Sequence, residues 1–86
     1  VALFGLGDQE RYPDNFVDGI GILAEAFTKS NAELIGFMPV SDYHFTQSRA
    51  VKEGHFLGLP LDIENQSEQT EERILKWVAK LKKEFQ

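Results

Sequence analysis

Gly5-Leu6-Gly7-Asp8 follows the apolar run Val1-Ala2-Leu3-Phe4 and leads through Tyr12, Asp14 and Asn15 into an amphipathic segment. A residue without a side chain at a strand end lets backbone N–H and C=O groups approach a flat ligand, and a rigid aromatic such as Tyr12 offers a face on which a ring can stack. Open α/β sheets bind ligands beyond the carboxyl ends of their strands, so residues 5–16 read as a ligand loop. Taken alone, Gly-Leu-Gly-Asp would serve an ordinary strand-to-helix turn equally well.

Other groups able to do chemistry are scattered. His44 and His55 are the two imidazoles, and neither has the i,i+4 spacing or the Cys or Glu neighbours of a metal site, so both are expected to face solvent. Asp62, Glu64 and Glu68 lack the alternation and the turn glycine of a calcium loop and read as an acidic rim. No nucleophile elbow surrounds any Ser, which disfavours hydrolysis. Asn65-Gln66-Ser67 fits a glycosylation acceptor only by chance, and Lys80, Lys82 and Lys83 with Glu84 read as a solvated helix face.

The elements that must position these residues follow from periodicity. Val1 to Phe4 is a continuous apolar run, as in a parallel strand covered on both faces. Phe16, Ile20, Leu23, Ala24 and Phe27 recur at helical spacing, with Asp14 placed to cap the helix and Ser30-Asn31 near its end. A second strand fits Glu33 to Met38 and is stopped by Pro39. The stretch from Val40 to Glu53 is polar and turn-rich and Gly54 to Leu61 reads as strand again, so residues 40 to about 57 are taken as an insertion that interrupts one strand. After the acidic loop Asp62 to Glu68, a last helix is expected from Thr70, with Glu71 and Glu72 in its first turn and lysines near its end, matching the helix dipole. Ile74, Trp77, Val78, Leu81 and Phe85 form its apolar stripe.

With 86 residues, such a chain buries little more than about 60% of its unfolded surface. Val1 falls inside a strand, so the chain is expected to be part of a longer domain. Fourteen acidic and nine basic side chains leave a net charge of -5, which disfavours nucleic acid, favours basic protein partners and makes further negative charge on a bound cofactor costly. There is no cysteine and no apolar run of the roughly 18 residues that span a bilayer. A soluble, cytoplasmic protein that does not bind membranes is the expectation.

The string Gly7-Asp8-Gln9, Tyr12, Asp14-Asn15-Phe16 closely resembles the second flavin-contacting loop of flavodoxins. Ser41-Asp42-Tyr43-His44-Phe45 and Gly54-His55-Phe56-Leu57-Gly58-Leu59-Pro60-Leu61-Asp62 resemble the elements that mark the long-chain branch of that family, so the resemblance covers nearly the whole chain. It implies that residues 1–86 are the carboxyl-terminal part of a single flavodoxin-like domain of the α/β class. That domain is a three-layer sandwich whose parallel sheet has the order 2-1-3-4-5. This chain would hold its fourth and fifth strands, the long-chain insertion and the last two helices.

The resemblance further implies a low-potential one-electron carrier that uses flavin mononucleotide (FMN) and is not itself an enzyme. Tyr12 would stack on the ring, and Gly7, Asp8, Asn15 and Val17 would surround its pyrimidine edge. Implied partners are a pyridine-nucleotide-dependent reductase and low-potential acceptor proteins, met by a monomer, with the insertion serving recognition. The phosphate-binding loop lies outside these residues, so alone they are expected to bind flavin poorly. Glu10-Arg11 departs from the small or apolar residues common beside the tyrosine. Arg11 would stabilise the anionic fully reduced flavin, an expectation that fails if Arg11→Gly leaves the potential unmoved. Two other readings are a flavodoxin-like domain within a multidomain reductase and a flavin-free interaction module.

Overall fold

The computed structural model describes residues 1–84. In chain order the elements are β1 (Phe4–Leu6), α1 (Asp18–Lys29), β2 (Met38–Pro39), β3 (Val51–Lys52), β4 (His55–Phe56), β5 (Leu59–Leu61), α2 (Ile63–Gln66), a 3-10 turn at Ser67–Gln69 and α3 (Thr70–Glu84). β1 pairs with β5 in parallel, Phe4 opposite Leu59 and Leu6 opposite Leu61. A parallel bridge joins Ala2 to Ile35. Ile35 and β5 thus flank successive parts of one strand, and the antiparallel β2-β4-β3 sheet lies between them in the chain. The expected insertion does interrupt a strand.

The bounds differ from those the periodicity predicts, for local reasons. The first strand runs through Gly5 because α1 lies directly over it: a Cβ there would meet Ile20 Cγ1 at 2.9 Å. The strand expected over Glu33 to Met38 is reduced to the bridge at Ile35. Pro39 belongs to β2, an edge strand, where its missing N–H costs no ladder bond. α1 starts at Asp18 and not beside Asp14; Val17 stands at the N-cap in the left-handed region (φ 46, ψ 34), with no side-chain cap.

Residues 13–16 bond the insertion instead of a helix. Pro13 O accepts from Thr46 N (2.8 Å) and Gln47 N (2.9 Å), and Gln47 O accepts from Phe16 N at 3.3 Å. Ser48 Oγ donates to Phe16 O. The insertion is therefore part of the core: Tyr43, Ala50 and Phe56 are buried with Phe16 and Ile20. Tyr43 and Phe56 stack edge-on with centroids 5.0 Å apart, and Phe45 lies 5.2 Å from Phe56.

On the other side of β5, Leu59 and Leu61 pack with Trp77. The face of α3 that is buried carries Arg73 and Trp77, with Leu81 packed beside them. Ile74 and Val78, expected in the stripe, are 39% and 41% exposed, and Phe85 lies outside the described residues. Trp77 Nε1 donates to Gly36 O at 2.8 Å. Gly36 has φ +81, and a Cβ there would strike the indole. A strand covered on both faces by helical layers is the α/β sandwich that the resemblance implies. Phe4 and Leu6 remain exposed, since among the described residues β1 has only β5 beside it at these positions.

Candidate functional site

The parallel ladder ends where Gly7 N donates to Leu61 O at 2.9 Å. A Cβ on Gly7 would lie 2.7 Å from Phe16 Cε1 and from Val17 Cγ1. The glycine is thus required by side chains packing on it from within, a reason distinct from the ligand approach expected of it. Beyond it Asp8 closes a tight turn: its Oδ1 accepts from Arg11 N at 2.9 Å and from Glu10 N at 3.2 Å, and its carbonyl accepts from Tyr12 N at 2.9 Å. Such Asx turns are the common use of Asp at this position. The turn projects Tyr12, a residue that is 55% exposed.

Gly7, Asp8, Tyr12, Asn15 and Val17, scattered over eleven positions, line one groove of about 360 Å³. A second concavity shares Gly7, Asp8 and Tyr12 and extends to Ile63. Val17 borders the groove, and its side chain is buried in the core. A β-branched residue at positive φ is an outlier that the surrounding packing must enforce, and such strain collects at functional sites. Among the described residues no acceptor in the chain takes the Val17 N–H. An exposed aromatic face, a shallow groove and a free backbone donor can together hold the face and edge of a flat, polar-edged ring.

Behind the loop lies a polar network that sequence reasoning missed. Asp62, expected on an exposed acidic rim, is 1% exposed. Its Oδ2 accepts from Gln9 N, Gln9 Nε2 and Asn65 Nδ2, each at 2.9 Å, and its Oδ1 accepts from Asn65 N at 3.0 Å. Burial raises the pKa of this carboxyl, but the four hydrogen bonds from Asn65 and Gln9 outweigh it and hold Asp62 below its ordinary range. Asp8 is likewise held low, chiefly by the Arg11 N–H and then by the Asn65 amide.

Gln9, 3% exposed, also donates to Gln66 Oε1 at 2.8 Å and accepts from His44 N. Arg73 Nη1 reaches the same Gln66 oxygen at 2.7 Å, while its guanidinium lies 4.1 Å over the Tyr43 ring. Burial pushes Tyr43 up to about 12, so its hydroxyl stays protonated and donates to Pro60 O at 2.6 Å. The signal for this network was present as the pair Gln9 and Asn65-Gln66, amides in otherwise charged stretches, but pairing them needs the fold.

The solvent exposure expected of the histidines, Glu64 and Glu68 is observed. His44 and His55 are exposed, as are Glu64 and Glu68. No group of three or more His, Cys, Asp or Glu that could hold a metal occurs among the described residues. No helix there is long and apolar enough to cross a membrane.

Comparison with known proteins adds to this geometry. No family model matches the chain. A flavodoxin of Nostoc sp. is 48% identical over 85 residues, 99% of this chain and 50% of the relative. A flavodoxin of Klebsiella pneumoniae is 47% identical over 96% of this chain and 47% of its own length. Among solved structures, Fusobacterium nucleatum flavodoxin bound to flavin mononucleotide superposes with a TM-score of 0.95 at 37% identity. That likeness covers 100% of this chain and 52% of the other. The chain spans about half the length of the curated relatives it matches.

Proposed function

The chain belongs with the flavodoxins, corresponding along its length to their carboxyl-terminal half, and from that premise we propose that the protein it forms is a one-electron carrier built on bound FMN. The observation that carries this reading is the convergence of Gly7, Asp8, Tyr12, Asn15 and Val17 on one groove. In it Tyr12 would hold the face of the flavin ring, while the backbone at Gly7, Asp8, Asn15 and Val17 would hold its edge. When bound, FMN supplies the redox chemistry by accepting and releasing single electrons. The chain positions the ring and sets its electrostatic surround.

The residues present fit that task. The Tyr12 face offers stacking of about 0.5 to 1.5 kcal/mol beyond its buried area. Asp8 and Asp62 remain ionised at neutral pH, because their hydrogen bonds favour the charged form. Their negative field opposes added negative charge in the groove, which supports a low reduction potential. The net charge of -5 supports weak, salt-sensitive encounters with basic surfaces of a pyridine-nucleotide-dependent reductase and of low-potential acceptors. A monomeric, cytoplasmic carrier that transforms no substrate is part of the same proposal.

Visible absorption of the intact protein during stepwise reduction tests it. Flavin bands that pass through a stable one-electron-reduced form are expected. A colourless protein that also takes up no added FMN would instead leave a fold used for protein interaction alone.

A further inference from the structure

The turn that carries Asp8 and Tyr12 is tied to the rest of the molecule through two successive residues: Gln9, bonded to Asp62, Gln66 and His44, and Asp8, whose carboxylate is reached from outside the turn by one amide. Asn65 Nδ2 donates to Asp8 Oδ1 at 2.8 Å and to Asp62 Oδ2 at 2.9 Å, so it joins carboxylates 54 positions apart in a chain of 86 residues. The other donors to Asp8 Oδ1, Glu10 N and Arg11 N, belong to the turn itself and shape it without placing it. Asn65 is the donor from outside the turn that places the Asp8 carboxylate.

Asp62 in turn gives Asn65 a fixed footing. It caps α2 by accepting from Asn65 N, and it accepts both the backbone and side-chain N–H of Gln9. Gln9 and Asp8 are adjacent, so two successive loop residues are held by the start of α2, one by Asn65 and one by Asp62. Through Gln66 and Arg73 the same network reaches the buried face of α3. Hydrogen bonds to ionised carboxylates are shorter and stronger than neutral ones, which suits them to fixing a loop. Asn65 itself does not line the groove that holds the five candidate ligand residues.

We infer that Asn65, footed on Asp62, is a positioning residue of the Asp8–Tyr12 turn, and that through the Asp8 carboxylate it contributes to how tightly FMN is held and at what potential it is reduced. The inference rests on the flavin reading above. Its physical content is pre-organisation: a turn already fixed in its bound geometry loses less freedom when a ring stacks on Tyr12. A turn without Asn65 keeps its Gln9 tethers, but the Asp8 side of it must be ordered by the ligand. Stacking and electrostatics that differ between redox states then change along with affinity.

Asn65→Ala in the intact, full-length protein tests this, with Asn65→Ser as the milder variant that keeps one donor. Three quantities are read: the FMN dissociation constant from fluorescence quenching, the two one-electron potentials of the bound flavin, and thermal melting of the apoprotein. The expected result for Asn65→Ala is FMN binding weakened about tenfold or more, equivalent to about 1.4 kcal/mol, with a shifted separation of the two potentials. Asn65→Ser should fall between it and the unsubstituted protein, and it carries the test if the alanine variant does not fold.

Unchanged affinity and potentials in the folded variants would overturn the inference. So would weakened binding that only follows loss of folded apoprotein, with potentials unmoved, since that is the mark of a scaffold residue. Failure of the unsubstituted protein to take up FMN would sink the flavin reading and this inference with it, a result visible before any variant is made.

Discussion

Asp62 shows how one residue's environment reverses its reading. In a run of acidic residues it looks like solvent-facing charge, yet it is buried under four hydrogen bonds from two residues. The sign of its pH dependence follows. A carboxyl held below its ordinary value when folded contributes stability that is fully present above the unfolded value of about 3.9. That contribution is lost as pH falls through the lowered folded value. Asp62→Asn, which keeps one acceptor and presents N–H to donors, is expected to destabilise the intact protein at pH 7 by about 1 to 3 kcal/mol. The difference from the unsubstituted protein should shrink below about pH 4, as measured by denaturant unfolding across pH. A gap that widens in acid would contradict this account.

At the scale of elements, α1 shows how close packing decides which glycine matters. A Cβ on Gly21 would meet Arg49 O at 2.3 Å, a backbone atom of the insertion, whereas one on Gly19 meets nothing within 4 Å. Arg49 N is also held by Asp18 Oδ1 at 2.7 Å, so the insertion is seated on the first turns of α1 and has little room to move. Gly21→Ala is expected to cost about 1 to 3 kcal/mol by overpacking. Gly19→Ala should gain up to about 1 kcal/mol from helix propensity. Thermal unfolding of the two variants should therefore move in opposite directions, and a common direction would refute the seating. The same contact explains why the insertion could not be read as a detachable recognition loop alone: Tyr43, Ala50 and Phe56 are core residues.

At the scale of the whole molecule, the net charge of -5 carried by these 86 residues acts at distances beyond any single contact. The Debye length shrinks from about 30 Å at 0.01 M salt to about 8 Å at 0.15 M. Electron transfer from a basic pyridine-nucleotide-dependent reductase to the intact protein is expected to slow about tenfold over that range if charge steers the encounter. Stopped-flow rates at the two ionic strengths check this, and a rate indifferent to salt would remove the electrostatic part of the partner proposal. The exposed Phe4 and Leu6 on β1 belong to the same scale. They are apolar surface on a strand that has one partner strand among the described residues, in a chain spanning about half the length of its relatives.

Local rules were enough for much of this protein. Gly7, Asp8, Tyr12 and Asn15 lie within nine positions, so their order along the chain already described the loop, and α3 begins at Thr70 where charge and periodicity placed it. The break in the second strand was legible from composition alone. What the chain could not specify locally were contacts between distant segments. Val17 displaces Asp14 from the helix start because Pro13 and Phe16 bond the insertion, and Arg73 with Trp77 displaces Ile74 and Val78 from the buried face of α3 because of where β5 and the insertion stand. Asp62 becomes a buried anchor only when Gln9, 53 positions away, arrives to donate to it. Patterns of period and type are written in neighbouring residues, whereas burial and hydrogen-bond partnership depend on which remote segments the packed sheet brings within 3 Å.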